Sequence, residues 1–452
     1  MRLAQLISSP VRSSVAAFGG VILLGTALLN LPAASTGTPL SLVDALFTAT
    51  SACCVTGLIV VDTGKDLSLF GQFVVLGMIQ AGGLGILTLS NIFLLLAGGR
   101  VSLTGRIVIQ DMFTHSGDRH LSRLILSVFG LTFLIEAGGA FFLFLRFSQD
   151  YPPLQAVYLS VFHAVSAFCN AGFSLFSNSM MDYRPDLLVN TTLFVLIVTG
   201  GLGFLVLAEL SRSFPHSRRT WYRLSLHSKV VLTATIGLIL IGAVLFLAME
   251  HNNSLGGLPG REKALAALFQ SITARTAGFN TVDIGHLANE SLFLLILLMF
   301  IGGGSGSCAG GIKAGTAATL GIQAFSRLRG FDAPQLFRRT FSQASVSRAM
   351  TVALIGVIVV VTATLLLQVT ELGDASHQAS RGKFLEILFE VVSAFGTVGL
   401  STGLTGTLST AGKIIISLTM FIGRLGPLAV ALAMSRRRTM RFRYAEENIM
   451  IG

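Results

Sequence analysis

The chain has 452 residues, 52% of them hydrophobic and only 12% charged, and its mean hydropathy is +0.76. An average soluble domain carries about 25% charged residues, so this composition excludes an ordinary water-soluble fold and implies a polytopic protein of the lipid bilayer. The net charge of +11 does not point to nucleic acid, because the basic residues are spread over several loops and not gathered on one element.

In chain order, apolar runs close to the roughly 20 residues that cross a bilayer core stand near residues 14–31, 70–97, 124–146, 186–210, 228–250, 289–301 with a continuation past a break, 347–370 and 410–435. They predict an all-α membrane protein with eight transmembrane helices. The first run, with Arg2, Arg12 and "LPAAS", has the look of a cleaved signal; it is read as a span, because cleavage would take a helix from the first repeat described below. Arginines and lysines concentrate in alternate loops: Arg100, Arg106, Arg119 and Arg123 after the second run, Arg212, Arg218, Arg219, Arg223 and Lys229 after the fourth, Arg327, Arg329, Arg338, Arg339 and Arg348 after the sixth, and Arg436, Arg437, Arg438, Arg441 and Arg443 in the tail. The opposite loops hold acids such as Asp44, Asp62, Asp150, Asp182, Asp283, Glu371 and Asp374. By the positive-inside rule both termini are cytoplasmic. Cys53, Cys54, Cys169 and Cys308 lack the spacing of zinc ligands or of a disulfide framework and read as small packing residues.

Four segments align with one another: "ALFTATSACCVTGL" (45–58), "SVFHAVSAFCNAGF" (160–173), "ALFQSITARTAGF" (267–279) and "ILFEVVSAFGTVGL" (387–400). Each runs from an aromatic through a Ser-Ala or Thr-Ala pair to a glycine. The glycines, Gly57, Gly172, Gly278 and Gly399, lie 115, 106 and 121 residues apart, a near-regular period that implies four copies of one unit. From Phe47, Phe162 and Phe389 the glycine is ten positions on, but from Phe269 only nine, so the third copy has to turn more tightly. The units divide the chain as repeat 1 (1–97), repeat 2 (98–211), repeat 3 (212–326, with a glycine-rich intramembrane loop at 302–311) and repeat 4 (327–452). Each offers two long apolar runs around a helical segment of about a dozen residues, which rises only about 18 Å. That is too short to cross, so the segment re-enters on one face. Two spans plus a re-entrant hairpin start and finish on the same side, and four parallel copies can close around a pseudo-fourfold axis.

Non-helical backbone survives at membrane depth only where protein buries it or it lines a watery path. Meeting at one axis, four such segments present free carbonyl oxygens, which can replace the water shell of a cation. Glycine supplies the positive φ that turns successive carbonyls toward one line, and short helices aimed inward by their C-terminal ends add negative dipole. A lone glycine in a membrane helix is more often a packing contact; four at equivalent positions argue for a site. "FIGGGSGSCAGGIKAGT" (300–316) interrupts the second span of the third repeat and, at about 1 kcal/mol per glycine in a helix, is expected to unwind. Its G-x-S-G around Ser305 also matches intramembrane serine proteases, but the histidines lie in loops or, for His163, in another repeat's re-entrant segment, so no general base is in prospect. Arg424 stands in the last apolar run, about a dozen residues from either end of its predicted helix, where an intramembrane charge faces a cavity or a partner.

These repeats resemble the Trk/Ktr/HKT superfamily of potassium transporters over nearly the whole chain, with "TVGL" (397–400) closest to a channel filter and "TARTAGFNT" (273–281) among the family's most recognisable stretches. With eight spans and none added in front, the chain is most similar to the bacterial KtrB type of membrane subunit. The resemblance implies a pore-forming subunit of a potassium uptake system, not an enzyme, with the ion on Val55, Thr56 and Gly57, on Asn170, Ala171 and Gly172, on Thr276, Ala277 and Gly278, and on Thr397, Val398 and Gly399. Glycine in all four copies matches potassium-selective members, and sodium coupling stays open. It further implies that the loop of Gly302, Gly303, Gly304, Ser305, Gly306, Ser307, Gly310 and Gly311 gates the pore together with Arg424, assisted by Lys313 unless that side chain points to solvent. K+ is then cargo and no organic cofactor is expected on this chain. The implied partners are a second copy of the chain and a cytoplasmic ring of RCK-type nucleotide-binding subunits, with the tail "YAEENIMIG" a candidate for the dimer interface. A sodium or mixed-cation carrier of the same fold and, in other classes, a membrane scaffold or a protease are the alternatives.

Overall fold

Hydroxyl and carboxylate caps start six of the described α-helices. Ser41, Ser68, Asp186, Ser225, Ser342 and Ser409 each accept a backbone N–H of the first turn, a contact worth about 1 kcal/mol. The structure, a computed structural model, describes residues 10–84, 121–212, 218–373 and 375–426. In order these form α1 (Pro10–Leu29), α2 (Leu42–Cys53), α3 (Leu69–Gly83), α4 (Leu121–Phe147), α5 (Pro153–Phe168), α6 (Leu187–Leu202), α7 (Phe204–Arg212), α8 (Arg218–Arg223), α9 (Leu226–Glu250), α10 (Gly260–Thr273), α11 (Asn289–Phe300), α12 (Ala314–Leu328), α13 (Gln343–Leu372), α14 (Lys383–Gly396) and α15 (Thr410–Leu425). Before α13 a hairpin pairs β1 (Gln335–Leu336) with β2 (Arg339–Thr340). The arginines Arg100, Arg106, Arg119 and Arg436–Arg443, the tail and the second half of the 70–97 run lie outside the described residues.

Packing follows one rule four times. The long apolar helices α1, α4, α9 and α13 lie against the short helices that follow them, α2, α5, α10 and α14. The helix after each short one then packs on the next short helix: α3 on α5, α6 on α10, α11 on α14, and α15 back on α2. The order therefore closes on itself. Phe47, Phe162, Phe269 and Phe389 anchor the short helices in the common core, none more than 1% exposed. Outward residues such as Leu134 on α4, Val244 on α9 and Leu354 on α13 are apolar yet exposed, as a lipid-facing surface requires.

Among the described residues, three helical stretches are long and apolar enough to cross a membrane, Val128–Phe147, Leu226–Glu250 and Gln343–Leu372. A fourth arises if α6 and α7 count together, but they meet at 104°. The 186–210 run, predicted as one span, is thus broken at Gly203, whose φ of 96° no helix accommodates. A Cβ there would press on Ser305 O, so the break makes room for the 302–311 loop. Nor is Arg424 mid-helix as predicted: α15 stops at Leu425 with Gly426 at φ 85°, which puts the arginine in the last turn.

Candidate functional site: a closed ring of glycines above a glycine loop

The short helices run straight into the four glycine motifs, and the local geometry repeats. Val55, Asn170, Thr276 and Thr397 adopt φ of 50°, 56°, 74° and 49°, and two residues later Gly57, Gly172, Gly278 and Gly399 adopt 87°, 70°, 82° and 92°. Left-handed backbone costs a non-glycine residue about 1–2 kcal/mol, and three of these four are β-branched, so tertiary contacts impose the conformation. Hydrogen bonds identify the source. Thr56 N, Ala171 N and Val398 N donate to Ser51 O, Ser166 O and Ser393 O, five residues back, at 2.7–2.8 Å. In the third copy Ala277 N reaches only four residues back, to Thr273 O at 2.9 Å. The missing residue is absorbed in that turn. The Ser or Thr before each alanine fastens the far end: Gly57 N and Gly399 N donate to Ser51 Oγ and Ser393 Oγ at 3.1 Å, whereas Ser166 Oγ and Thr273 Oγ1 donate to Phe173 O and Phe279 O at 2.7 and 2.6 Å.

The four motifs meet. A Cβ on Gly57 would strike Ala171 O and Gly172; on Gly172, Ala277 O and Gly278; on Gly278, Val398 O and Gly399; and on Gly399, Thr56 O and Gly57. Each glycine touches the next motif, and the fourth returns to the first. Only glycine fits at this density. On one side of the ring an open cavity of about 450 Å³ is floored by the four glycines and walled by Asp62, Ser174, Asn280, Asp283, Ser401 and Thr402 among others.

On the other side the chain leaves α11 at Phe300 and re-enters helix at Ala314. Gly302 lies against Thr276, Gly310 against Thr397, and Gly311 against Gly396. The loop is tied to the α6–α7 corner by Gly304 N to Gly201 O (2.8 Å), Cys308 N to Gly200 O (3.2 Å) and Phe204 N to Gly306 O (3.1 Å). Buried Arg424 donates to Cys308 O in the loop and to Gly82 O at the end of α3. Lys313 caps α12 half-buried, its Nζ donating to Ala309 O. Gly303 is buried with Gly304, while Ser305 and Gly306 are exposed and Ser307 is half-buried and donates to Gly304 O.

Three contributors escaped the sequence reading. Arg275, buried between the third helix and its glycine, donates to Gly302 O at 3.3 Å. Its charge inside "TARTAGF" was the available signal. Cys308 donates to Gly83 O at 3.2 Å, and the small residues Gly82, Gly83, Gly200 and Gly201 let the loop and the short helices approach α3 and α6. For these nothing but a Gly-Gly pair late in an apolar run gave notice.

A helical membrane protein whose backbone closes into a buried ring, with a loop packed beneath it, belongs to the class of membrane transport proteins. Residues 15–440 match the TrkH family model, described as a cation transport protein, and the chain belongs to that family. It is 40% identical to the Ktr system potassium uptake protein B of Vibrio alginolyticus over 96% of this chain and 93% of that one. With the potassium/sodium uptake protein NtpJ of Enterococcus hirae it shares 36% identity over 98% and 97% of the two chains. In fold it is similar to the crystal structure of the potassium transporter TrkH from Vibrio parahaemolyticus, with a TM-score of 0.71 and 19% identity over 93% of this chain and 85% of that one. The family moves cations and is not an enzyme. The protease alternative accordingly falls; His163, for its part, engages Leu159 O and Ser174 and is not a base for Ser305.

Proposed function

We propose that this chain is the pore-forming subunit of a potassium uptake system, in which K+ sheds water onto backbone carbonyls of residues 55–57, 170–172, 276–278 and 397–399. The observation that carries this reading is the closed contact of the four glycines, each against the carbonyl preceding the next. A bare cation in low dielectric costs tens of kcal/mol, and a ring of carbonyls is the established way to offset it without a carboxylate. Repeats 1–97, 98–211, 212–326 and 327–452 then supply two spans and one re-entrant helix each, eight spans in all, around a pseudo-fourfold pore. The 302–311 loop, with Arg424 and Lys313, is the gate on the cytoplasmic side. The chain resides in a bacterial plasma membrane with both termini cytoplasmic, works as a homodimer, and takes its nucleotide control from an RCK-type ring, as its Ktr resemblance implies.

Reconstituted in liposomes, the protein takes up 86Rb+ in competition with K+ and far less with Na+, and Gly57→Asp or Gly399→Asp changes that ranking. Liposomes that stay impermeable to alkali cations refute the reading. The potassium/sodium name of the Enterococcus relative favours a sodium-linked variant of the same function; 86Rb+ uptake with and without Na+ distinguishes the two.

A further inference from the structure

The residue after each buried phenylalanine is polar in every copy: Thr48, His163, Gln270 and Glu390, all at most 2% exposed. Two of them do the same thing. Glu390 Oε1 accepts from Ser401 Oγ and, at 3.1 Å, from Thr402 N; its Oε2 accepts from Thr405 Oγ1 at 2.7 Å. His163 Nδ1 faces Leu159 O at 2.7 Å, and since a carbonyl only accepts, the proton sits on Nδ1 and leaves Nε2 as the acceptor. That Nε2 takes Ser174 Oγ at 3.0 Å and Leu175 N at 3.3 Å. Ser174 and Leu175 are two and three residues beyond Gly172; Ser401 and Thr402 are two and three beyond Gly399. An acceptor on the short helix and a serine two past the glycine therefore occur together, in repeats 2 and 4.

Repeats 1 and 3 lack this bonded pair. Ile59 and Asn280 occupy the serine position, and neither the Thr48 hydroxyl nor the Gln270 amide has a hydrogen-bond partner among the described residues. In the cyclic order of the glycine contacts, repeats 2 and 4 stand diagonally across the ring.

We infer that His163 and Glu390 are specificity-determining positioning residues: they pin the outer ends of two opposite filter strands and so stop the ring contracting around a cation smaller than K+. The inference rests on the filter reading above. It makes repeats 2 and 4 the ones braced from their own short helices, whereas Asn280 in repeat 3 is tied instead to the segment after Gly172, its N–H donating to Ser179 Oγ at 3.2 Å and its carbonyl accepting from Met180 N at 3.0 Å, so selectivity depends on two of four equivalent positions.

The test is Na+ inhibition of 86Rb+ uptake, with 22Na+ uptake alongside, in proteoliposomes of folded variants. Glu390→Leu and His163→Leu are expected to lower the Rb+/Na+ preference about tenfold, as loss of the shared acceptor for two or more buried or half-buried donors implies. Glu390→Gln and His163→Gln keep an acceptor oxygen in reach and recover most of it. Ser174→Ala and Ser401→Ala, small changes that the fold tolerates, shift it the same way by about threefold and decide the matter if a leucine variant fails to fold. Thr48→Ala and Gln270→Met leave the preference unchanged. A native preference in the serine and leucine variants, or an equal loss in the Thr48 and Gln270 variants, overturns the inference. Gly399→Ser separates the two levels: if it shifts the preference while the brace variants do not, only the brace falls; if it too has no effect, the filter reading falls.

Discussion

Replacing Arg424 by methionine removes the charged contact between α15 and the 302–311 loop while keeping a long apolar stem. Of the two carbonyls the guanidinium engages, Gly82 O belongs to α3 and Cys308 O to the loop, so only the second bond is lost when the loop leaves. A hydrogen bond to a charged group contributes about 1.5–3 kcal/mol net. At 1.4 kcal/mol per decade, the ratio of loop-seated to loop-released protein falls about 10- to 150-fold. On the proposed gate reading, a positive charge in the path of a cation disappears as well. Unregulated 86Rb+ flux in liposomes is therefore expected to rise in Arg424→Met, with selectivity unchanged because the ring is untouched. Arg424→Lys, which retains charge and one donor, falls between the two. If folded Arg424→Met, eluting as wild type from size-exclusion chromatography, conducts no faster than the parent, the arginine does not hold a closed state and the gate assignment fails.

The loop's seat is testable from its other side. A methyl on Gly303 or Gly304 would meet Gly201 O or Leu202 O, an overpacking worth about 1–3 kcal/mol, so Gly303→Ala and Gly304→Ala raise basal flux in the same assay. Arg275→Leu frees Gly302 O and is expected to raise basal flux in the same assay. Away from the glycine ring, Lys413 on α15 pairs with Asp44 on α2 at 2.6 Å, clasping those two helices. Burial pushes the Asp44 carboxyl up, but Lys413 and Ser41 outweigh it and hold the carboxyl below the usual range. The folded pKa is thus depressed, and its contribution, about 1 kcal/mol or less for a partly exposed pair, is present above the unfolded value and lost as pH falls through the folded one. Lys413→Met is expected to lower the melting temperature of detergent-solubilised protein at neutral pH, with a gap to wild type that narrows on acidification; a gap that holds at low pH refutes the assignment.

What the sequence revealed and what it hid have one cause. Four motifs carrying the same small residues could be superposed before any coordinate was known, and the turn chemistry could be anticipated down to the shorter third copy, because both depend on contacts a few residues apart. Ser51, Ser166, Thr273 and Ser393 act within their own motifs. The bend at Gly203 depends instead on a loop a hundred residues away, and the end of α15 on the positive φ of Gly426; a hydropathy window sums apolar residues without registering either. Arg424 looked mid-helix for the same reason: the apolar run continues beyond Gly426, although the regular helix does not.

That distinction also bears on the symmetry of the pore. Positions read one at a time are equivalent across the repeats, so the alignment predicts a ring with four like walls. Read in pairs, they are not: an acceptor after the phenylalanine matters only where a serine follows the glycine by two, and His163 with Ser174 and Glu390 with Ser401 satisfy both conditions. Thr48 with Ile59 and Gln270 with Asn280 satisfy one at most. A four-chain channel of identical subunits has to brace all walls or none, because each substitution is repeated fourfold. Once the copies share one chain each can drift, and the lowest symmetry that still resists contraction around a central ion is a rigid diagonal pair. If the proposed braces at His163 and Glu390 hold the ring's diameter, any yielding as an ion passes falls to the two segments without them, of which the one at Asn280 is held through Ser179 and Met180, and the same backbone ring can discriminate and conduct.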